Sequence, residues 1–435
     1  MELRIENFAK IRRADILVDG ITVIAGENNT GKSTIGKIMF SMFNAMSNLD
    51  DKILEERKNE IAISCFHSIF FVLQPGIKEQ KYRVLNPDLA DKMAREIADK
   101  VVDAHMTEAE DIYSVVYQEI TSCNVISREK DEIQDVLSTM TDNVKQIQEL
   151  ADEKIAQELF SRYFNEIFKT QINPLNDERL STTITLDIKG KSAQIKFLNN
   201  VCSGFLSEIA ITHQAIYIDN PFIIDKLPDS SNLSDLNILE KQLKTLLKGS
   251  PKENMMEGII ESVLVREKLS EVYKVLQSVV HGNIITENNE FYLKEEGSAK
   301  PVFFANLSTG LKSFVILKML LEKGALKEKD VLVLDEPEIH LHPQWQVAYA
   351  ELIVLLQKAF DLTVVVTTHS PYFLDAINLF SVKHGTGQKV HYYLSENTED
   401  GILMEQVTDN IDLIYKKMAS PIKILDSLRY ELNNN

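Results

Sequence analysis

The octet Gly26-Glu27-Asn28-Asn29-Thr30-Gly31-Lys32-Ser33 constrains this chain more than any other stretch. The apolar residues Ile21–Ala25 before it predict a buried strand, and residues from about Ser33 to Met46 have helical spacing. A glycine turn between a strand and a helix points backbone N–H groups at phosphates. The alternative is a chance match in a glycine turn. The residues predicted to bind nucleotide are Gly26, Asn28, Asn29, Thr30, Gly31, Lys32, Ser33 and Thr34.

The ion that accompanies a bound nucleotide is predicted from two places in the chain. The Ser33 hydroxyl closes the octet and can ligate Mg²⁺. The apolar run Val331–Leu334 ends in two carboxylates, Asp335 and Glu336, as a Walker B strand requires. Asp335 is predicted to hold Mg²⁺, and Glu336 to polarise the water that attacks the phosphate. Without the octet upstream, the run could be a buried strand with an ordinary acidic turn.

A third motif, Leu307-Ser308-Thr309-Gly310-Leu311-Lys312, precedes a helical run and the carboxylate strand. It resembles the signature of ABC-type ATPases. The resemblance implies that Ser308, Thr309, Gly310 and Lys312 contact ATP held by a second subunit, and a helix N-terminus attracts such an anion. Read alone, Ser308 could be an N-cap and Gly310 a turn residue.

A fourth motif, Thr368-His369-Ser370-Pro371, follows a buried β-branched strand over Leu362–Thr367. ABC-type ATPases carry a switch histidine at this place. The resemblance implies that His369 contacts the γ-phosphate of ATP, whereas a lone histidine after a strand is more often structural. The four motifs predict a site for ATP and Mg²⁺ with Glu336 and His369 as its catalytic residues.

Strand and helix patterns alternate in blocks along the chain, which predicts an α/β fold. The resemblance of the four motifs implies an ABC-type P-loop ATPase head with a mixed sheet, flanking helices and a large inserted helical region. Head segments are predicted over residues 1–45, 182–225 and 283–380, helical insertions over 46–181 and 226–282, and a strand and helix extension over 381–435. In the first insertion a heptad stripe of Ile133, Leu137, Met140, Val144, Ile147 and Ala151 favours a helical lobe over a long coiled-coil arm.

Composition limits the classes of protein that the chain can belong to. The net charge of −18 argues against a surface that binds nucleic acid everywhere, although a local basic groove stays open. No apolar run is long enough to span a membrane and no signal peptide begins the chain, so the expected location is the cytoplasm. The three cysteines, Cys65, Cys123 and Cys202, are far apart and predict buried thiols.

The amino-acid sequences of the motifs resemble those of the RecF, SMC and OLD branch of ABC-type ATPases rather than those of a transporter subunit. The relevant residues are Ile24 to Asn29, the run Asp335-Glu336-Pro337-Glu338-Ile339-His340-Leu341-His342-Pro343, and Thr368 to Pro371. About 65 residues follow His369, too few for the TOPRIM nuclease domain of OLD-type proteins. Any nuclease is therefore expected to be a separate polypeptide, and stand-alone members of this branch that the chain resembles are the ATPase subunits of anti-phage systems, PtuA of Septu first and AriA of PARIS second. This implies a homodimer or higher homo-oligomer, an HNH-type, PtuB-like nuclease supplied in trans, and DNA as a ligand of the complex.

Two features leave alternatives open. The sequence shows no clear Q-loop, because no glutamine lies clearly at the end of a head strand and Gln214 is a weak candidate. A second hypothesis is therefore that the protein hydrolyses ATP slowly or retains it without hydrolysis. The segment Ile411–Leu432 has a helical pattern whose apolar face could dock a partner or pack on its own head.

Three functions are consistent with these residues. The first is a defence ATPase that dimerises around ATP and controls a separate nuclease. The second is a RecF-like clamp on DNA, which a basic groove with Lys10, Arg12 and Arg13 would favour. The third is an oligomeric scaffold that binds nucleotide without hydrolysing it.

Overall fold

The computed structural model describes residues 1–73, 87–122, 130–177, 179–228, 236–249, 269–288, 290–295 and 297–434. These residues form two compact units, one of Met1–Ser47 with Ser161–Asn435 and the other of Asn48–Phe160. The second unit ends earlier than residue 181, where the sequence placed the end of the insertion. The reason is aromatic packing, because Phe164 lies against Phe168 and Phe197 in the core of the first unit.

An eleven-stranded sheet organises the first unit, in the order β6-β5-β4-β1-β2-β14-β13-β3-β12-β11-β7. A separate three-stranded sheet has the order β10-β9-β8. The strands are β1 Glu2–Phe8, β2 Ile11–Leu17, β3 Ile21–Gly26, β4 Thr182–Ile188, β5 Lys191–Leu198, β6 Val201–Ser207, β7 Ala215–Ile218, β8 Asn283–Glu287, β9 Glu290–Lys294, β10 Val302–Phe303, β11 Val331–Asp335, β12 Thr363–Thr368, β13 Val390–Thr398 and β14 Gly401–Gln406.

The large sheet is mixed, which confirms the predicted α/β fold class. Strands β13, β3, β12, β11 and β7 are parallel neighbours, whereas β6, β5, β4, β1 and β2 form an antiparallel meander. All six residues of β3 are buried, as expected for the centre of a parallel sheet covered by helices on both faces. The carboxyl ends of these parallel strands share one edge, so the loops that leave them meet there.

The helices of the first unit flank this sheet. Helix α1 follows β3 directly, and η1 is a 3₁₀ turn over Pro221–Lys226. The α-helices are α1 Lys32–Met46, α7 Ile238–Lys248, α8 Ser270–Val279, α9 Thr309–Glu322, α10 Pro343–Phe360, α11 Pro371–Lys383, α12 Asp412–Met418 and α13 Ser420–Asn434. Within the described part of the chain, no helix is long and apolar enough to cross a membrane.

The second unit is helical, with its own apolar core. Five of the six residues of the predicted heptad stripe lie on α5 (Lys130–Gln148), where Leu137, Met140 and Val144 are buried and Ile133 and Ile147 are partly buried. The sixth, Ala151, follows the helix and is exposed. Because the residues on α5 pack against neighbouring helices, the stripe forms part of a lobe. The helices are α2 Leu49–Leu73, α3 Pro87–Asp103, α4 Ala109–Thr121, α5 Lys130–Gln148 and α6 Asp152–Phe168, of which the last continues into the first unit.

Two predicted features differ in detail from the structure. The single helix expected over Ile411–Leu432 is two helices, α12 and α13. Ile414 on α12 is buried in the first unit, whereas Leu425 and Leu428 on α13 are about half exposed, so only the first part packs back. Cys65 and Cys202 are buried free thiols as predicted, and Cys123 lies outside the described residues.

Candidate nucleotide site

The octet forms a loop at the carboxyl end of β3, closed by contacts of its own. The Thr30 hydroxyl donates to the Glu27 carbonyl at 2.8 Å, and the Lys32 ammonium donates to the same carbonyl at 2.6 Å. Asn29 and Gly31 have φ angles of 62° and 78°. This alternation of left-handed and ordinary residues points N–H groups into the loop, as a phosphate-binding nest requires.

Gly26 is fixed by a close approach of the backbone. A Cβ at this position would lie 2.5 Å from the carbonyl oxygen of Ser395 on the adjacent strand β13. The Ser395 hydroxyl also donates to the Thr30 carbonyl. Only glycine lets β13 pair this closely where the loop begins, so β13 supports the loop from one side.

The Walker B carboxylate, Asp335, accepts three hydroxyl groups. Its Oδ1 accepts from Ser33 at 2.9 Å and from Thr367 at 2.5 Å, and its Oδ2 accepts from Tyr217 at 2.5 Å. Three parallel strands and α1 therefore converge on one carboxylate. A hydroxyl and a carboxylate at this distance fit Mg²⁺, which prefers oxygen ligands and takes few from the protein when a phosphate supplies others.

We expect Tyr217→Phe to lower the free energy of unfolding by about 1–3 kcal/mol, because it removes a buried hydroxyl donor from the half-buried carboxylate of Asp335. Urea unfolding followed by circular dichroism measures this change. Tyr415→Phe is the matched control, since the Tyr415 hydroxyl donates to the carboxylate of Asp375 at 3.2 Å on an exposed surface. Equal effects of the two substitutions would contradict a special role for the buried hydroxyl.

Glu336 and His369 meet directly across the carboxyl edge. The His369 Nε2 lies 2.6 Å from the Glu336 Oε1, and both side chains are partly exposed. Glu336 has a φ of 49°, which is costly for a residue with a side chain. Its N–H donates to the Thr367 carbonyl and hydroxyl, at 3.2 and 3.0 Å, and these bonds hold the strained turn. The structure thus places the Glu336 carboxylate against the His369 ring at the carboxyl end of β11.

The Lys32 side chain is buried in an acidic environment. Burial lowers the pKa of Lys32, and Glu336, Asp335 and Glu338 oppose that shift by favouring the charged form. The bond to the Glu27 carbonyl fixes the position of the ammonium, so a phosphate that displaces this carbonyl would meet a donor already in place.

The signature motif divides into exposed and buried residues. Ser308 is exposed and caps α9, with its Oγ accepting from the Leu311 N–H at 3.4 Å, and Thr309 is half-buried. Lys312 is buried instead: its ammonium donates to the Asp225 carboxylate at 2.7 and 2.8 Å. That ion pair directs the Lys312 side chain into the interior of the first unit. It corrects the prediction that Lys312 contacts ATP held by a second subunit.

Gly310 places the signature against the loop that follows Glu336. A Cβ on Gly310 would lie 3.0 Å from both the His340 carbonyl oxygen and the Trp345 ring. A larger residue would push α9 away from the loop over residues 337–342. The two motifs are therefore rigidly packed neighbours within one chain.

Gln214, the weak candidate for the Q-loop, lies at the wrong end of its strand. It precedes β7, and its side chain donates to the Ala325 carbonyl at 3.2 Å. Because β7 runs parallel to β11, the residue at the nucleotide edge is Asp219, which follows the strand. Burial, and then the nearby Asp335 carboxylate, raise the pKa of Asp219. The residue that follows β7 at this edge is thus a carboxylate and not a glutamine.

A cavity of about 270 Å³ opens beside the nucleotide loop. Its lining joins Gly26, Glu27, Asn28 and His369 to residues of β13 and α12. From α12, the Lys417 ammonium lies 3.2 Å from the Glu396 carboxylate and 3.6 Å from that of Glu27. The remaining predicted residue, Thr34, lies in the first turn of α1.

The run Glu338, His340 and His342 does not assemble as a metal site. His340 packs its ring against Phe222, and the His342 ring accepts from the Gln344 N–H at the start of α10. Among the described residues, no group of three or more His, Cys, Asp or Glu is arranged to hold a metal ion.

A family model described as an AAA ATPase domain matches residues 1–374, which include all four motifs. The chain belongs to this AAA ATPase family. Membership implies binding of ATP and Mg²⁺ in general terms, and the cluster of Ser33, Lys32 and Asp335 fits both ligands.

The following curated proteins match parts of this AAA ATPase in sequence, and a solved structure aligns over most of it. It is 24% identical over 241 residues to a Clostridium acetobutylicum protein described as an ABC transporter ATP-binding protein, covering 55% of this chain and 76% of that one. It is 35% identical over 88 residues to the Septu protein PtuA of Bacillus thuringiensis, covering 17% of this chain and 22% of PtuA. A solved SMC head domain from Thermotoga maritima aligns over 93% of this chain and 98% of its own, with 11% identity and a TM-score of 0.38.

The structure of this AAA ATPase adds residues to the site that the sequence did not single out. Tyr217, Thr367 and Ser395 each bind a motif residue through a hydroxyl. The strands that carry them were either predicted as apolar runs or not predicted. A hydroxyl group in an apolar run does not indicate which residue it will bind. Only the pairing of β7, β12 and β13 around β3 and β11 reveals them.

Proposed function

We propose that this chain is an ABC-type ATPase that binds Mg·ATP, pairs head to head with a second copy, and regulates a nuclease supplied in trans. The observation that carries the proposal is the assembly of one half-site. Lys32, Ser33 and Asp335 gather at one sheet edge with the Glu336–His369 pair. Asp335 holds the ion, and Glu336 accepts the proton of the attacking water.

The second copy supplies what this half-site lacks. Ser308 is exposed at the N-terminus of the fourteen-residue helix α9, a place that attracts an anion. In the described residues, the Ser308 side chain has no hydrogen bond to the nucleotide loop. A γ-phosphate bound to the loop of one copy can therefore bind this helix start in another, which makes ATP part of the interface.

A role in anti-phage defence rests on resemblance. The stretch similar to PtuA is short, and the sequences of the Walker B and switch segments also resemble the ATPase subunits of anti-phage systems. The partner under this proposal is an HNH-type nuclease, and the homo-oligomer presents it to DNA.

A DNA clamp formed by this chain alone has weaker support. Two of the three basic residues that would line its groove are neutralised by acids: Arg12 lies 2.5 Å from Asp400, and Arg13 lies 2.7 Å from Asp15. Lys10 binds Asn29 of the nucleotide loop at 3.3 Å. A strongly acidic chain with paired arginines offers little attraction to a phosphate backbone.

The experiment that tests the proposal measures phosphate release by the purified protein with Mg·ATP, with and without duplex DNA, and follows assembly by mass photometry. ATP-dependent dimers with phosphate release that DNA does not change support an ATPase acting through a partner. Phosphate release that DNA stimulates would contradict this proposal and support the DNA clamp. ATP retained in a fixed oligomer without phosphate release would also contradict the proposal and support a scaffold.

We expect Ser308→Arg to prevent ATP-dependent dimers while leaving ATP binding within about threefold, because the new side chain fills the phosphate position at the helix start. Loss of the N-cap should cost about 1 kcal/mol of stability. Ser278→Arg, an exposed serine of α8, is the control. Dimers of Ser308→Arg at the parent's ATP concentration would refute the head-to-head geometry.

A further inference from the structure

Glu338 is a buried carboxylate that the proposed reaction does not use. It lies two residues after Glu336 and is 5% exposed. Its Oε1 accepts three hydrogen bonds from one short turn: the Thr368 hydroxyl at 2.6 Å, the His369 N–H at 2.7 Å and the Ser370 N–H at 3.2 Å. The turn that carries the switch histidine is thus held by one oxygen atom.

Burial of this carboxylate is costly, which makes a role in general packing a poor explanation. Its other oxygen, Oε2, has no hydrogen-bond partner among the described residues. Desolvation raises the pKa of Glu338, whereas the three bonds to Oε1 favour the charged form. An apolar residue of similar size would avoid the cost of burying a carboxylate. The contribution of Glu338 must therefore be to order the three donors that bind its Oε1.

A second side chain holds the same turn from α10. The Gln346 Oε1 accepts from the Ser370 hydroxyl at 2.6 Å, and its Nε2 donates to the carbonyls of Leu341 and Glu338 at 3.1 and 3.4 Å. Glu338 and Gln346 therefore form a bracket around residues 368–370. Within it, the His369 backbone has little freedom, and its ring is delivered to Glu336 at 2.6 Å.

We propose that Glu338 is a positioning residue for the reaction: its carboxylate fixes the turn over Thr368–Ser370, so that the His369 ring meets Glu336 and the γ-phosphate in one arrangement. This inference rests on the proposed ATPase function. Glu338 is buried, and its Oε1 binds only groups of this turn among the described residues. Its effect passes through the His369 backbone.

Hydrogen–deuterium exchange tests the inference without any need for turnover. We expect the His369 and Ser370 amides to exchange about tenfold faster in Glu338→Ala and two- to threefold faster in Glu338→Gln, which keeps an acceptor oxygen without its charge. Amides of β12 should keep their rates. The matched control is Glu351→Gln, because Glu351 accepts from Lys383 and His384 away from this turn. Parent-like exchange at His369 in both Glu338 variants would overturn the inference.

The kinetic test separates positioning from a loss of folding. With thermal melting as a check, we expect kcat for ATP to fall by about 30- to 100-fold in Glu338→Ala with KM within about threefold, and Glu338→Gln to recover much of the loss. Glu338→Asp should resemble alanine, because its shorter side chain does not reach the turn. A rise in KM with kcat unchanged would contradict positioning.

Failure of this inference and failure of the proposed function give different results. A parent protein that releases no phosphate refutes turnover, and the exchange rates of residues 368–370 then still decide whether Glu338 fixes the turn. A parent that hydrolyses ATP, with Glu338 variants equal to it in kcat and exchange, refutes the inference alone.

Discussion

Replacing Lys32 with alanine is expected to weaken Mg·ATP binding by about 30- to 4,000-fold, the largest effect on affinity that we anticipate from one substitution. The buried ammonium donates to the Glu27 carbonyl at the centre of the loop, where the phosphates would lie. Truncating one partner of a buried charge-assisted bond costs about 2–5 kcal/mol, and each 1.4 kcal/mol is about tenfold in affinity. Titration with a fluorescent ATP analogue measures the loss.

Lys318→Ala is the matched control for Lys32→Ala. Lys318, on the signature helix α9, is also a buried lysine of the first unit, and its ammonium donates to the Gly282 carbonyl just before β8. Both variants lose a buried cation bound to a carbonyl, so a general loss of stability would lower the melting temperature of both. Only the nucleotide-loop variant should lose ATP. Unchanged affinity in Lys32→Ala would refute the assignment of the octet.

The second large effect is expected from Glu336→Gln. An amide cannot accept a proton from the attacking water, so phosphate release should fall by about 10²–10⁴-fold. ATP binding should remain, because the substitution changes neither Lys32 nor Asp335. ATP-bound dimers should therefore accumulate, and mass photometry at fixed ATP measures their fraction.

The control for Glu336→Gln is again Glu351→Gln, since the Glu351 carboxylate also meets a histidine ring, that of His384 at 3.2 Å. The two substitutions remove the same charge from a carboxylate and histidine pair, one at the sheet edge and one on α10. Phosphate release by Glu336→Gln at the parent's rate would show that another group activates the water.

The parts of the site that the sequence predicts are those fixed by local chemistry. The nucleotide loop follows from a buried strand, two glycines and a helix start, all within residues 21–46. The strand that delivers Asp335 and Glu336 and the strand before His369 follow from apolar runs with polar ends. In each case the backbone that positions the side chain is next to it in the chain, so a short window carries the information.

The parts that the sequence does not predict depend on distant partners. Lys312 matches a signature motif, but it is buried against Asp225, 87 residues earlier in the chain. In the sequence, Tyr217 has the pattern of an ordinary core residue. Only the pairing of β7 with β11 shows that its hydroxyl binds Asp335. Gln214 could be assigned to the nucleotide edge only while the direction of β7 was unknown.

The order in which the ribosome makes the chain gives the close contact between Thr30 and Ser395 another meaning. These residues are 365 positions apart, and both neighbours of β3 in the sheet, β12 and β13, come from the last quarter of the sequence. At about 5–20 residues per second, the β3 segment waits roughly 20 to 70 seconds for its partners. During synthesis, this strand, whose residues other than Thr22 and Gly26 are apolar, therefore stays without both of its sheet neighbours until β13 has emerged.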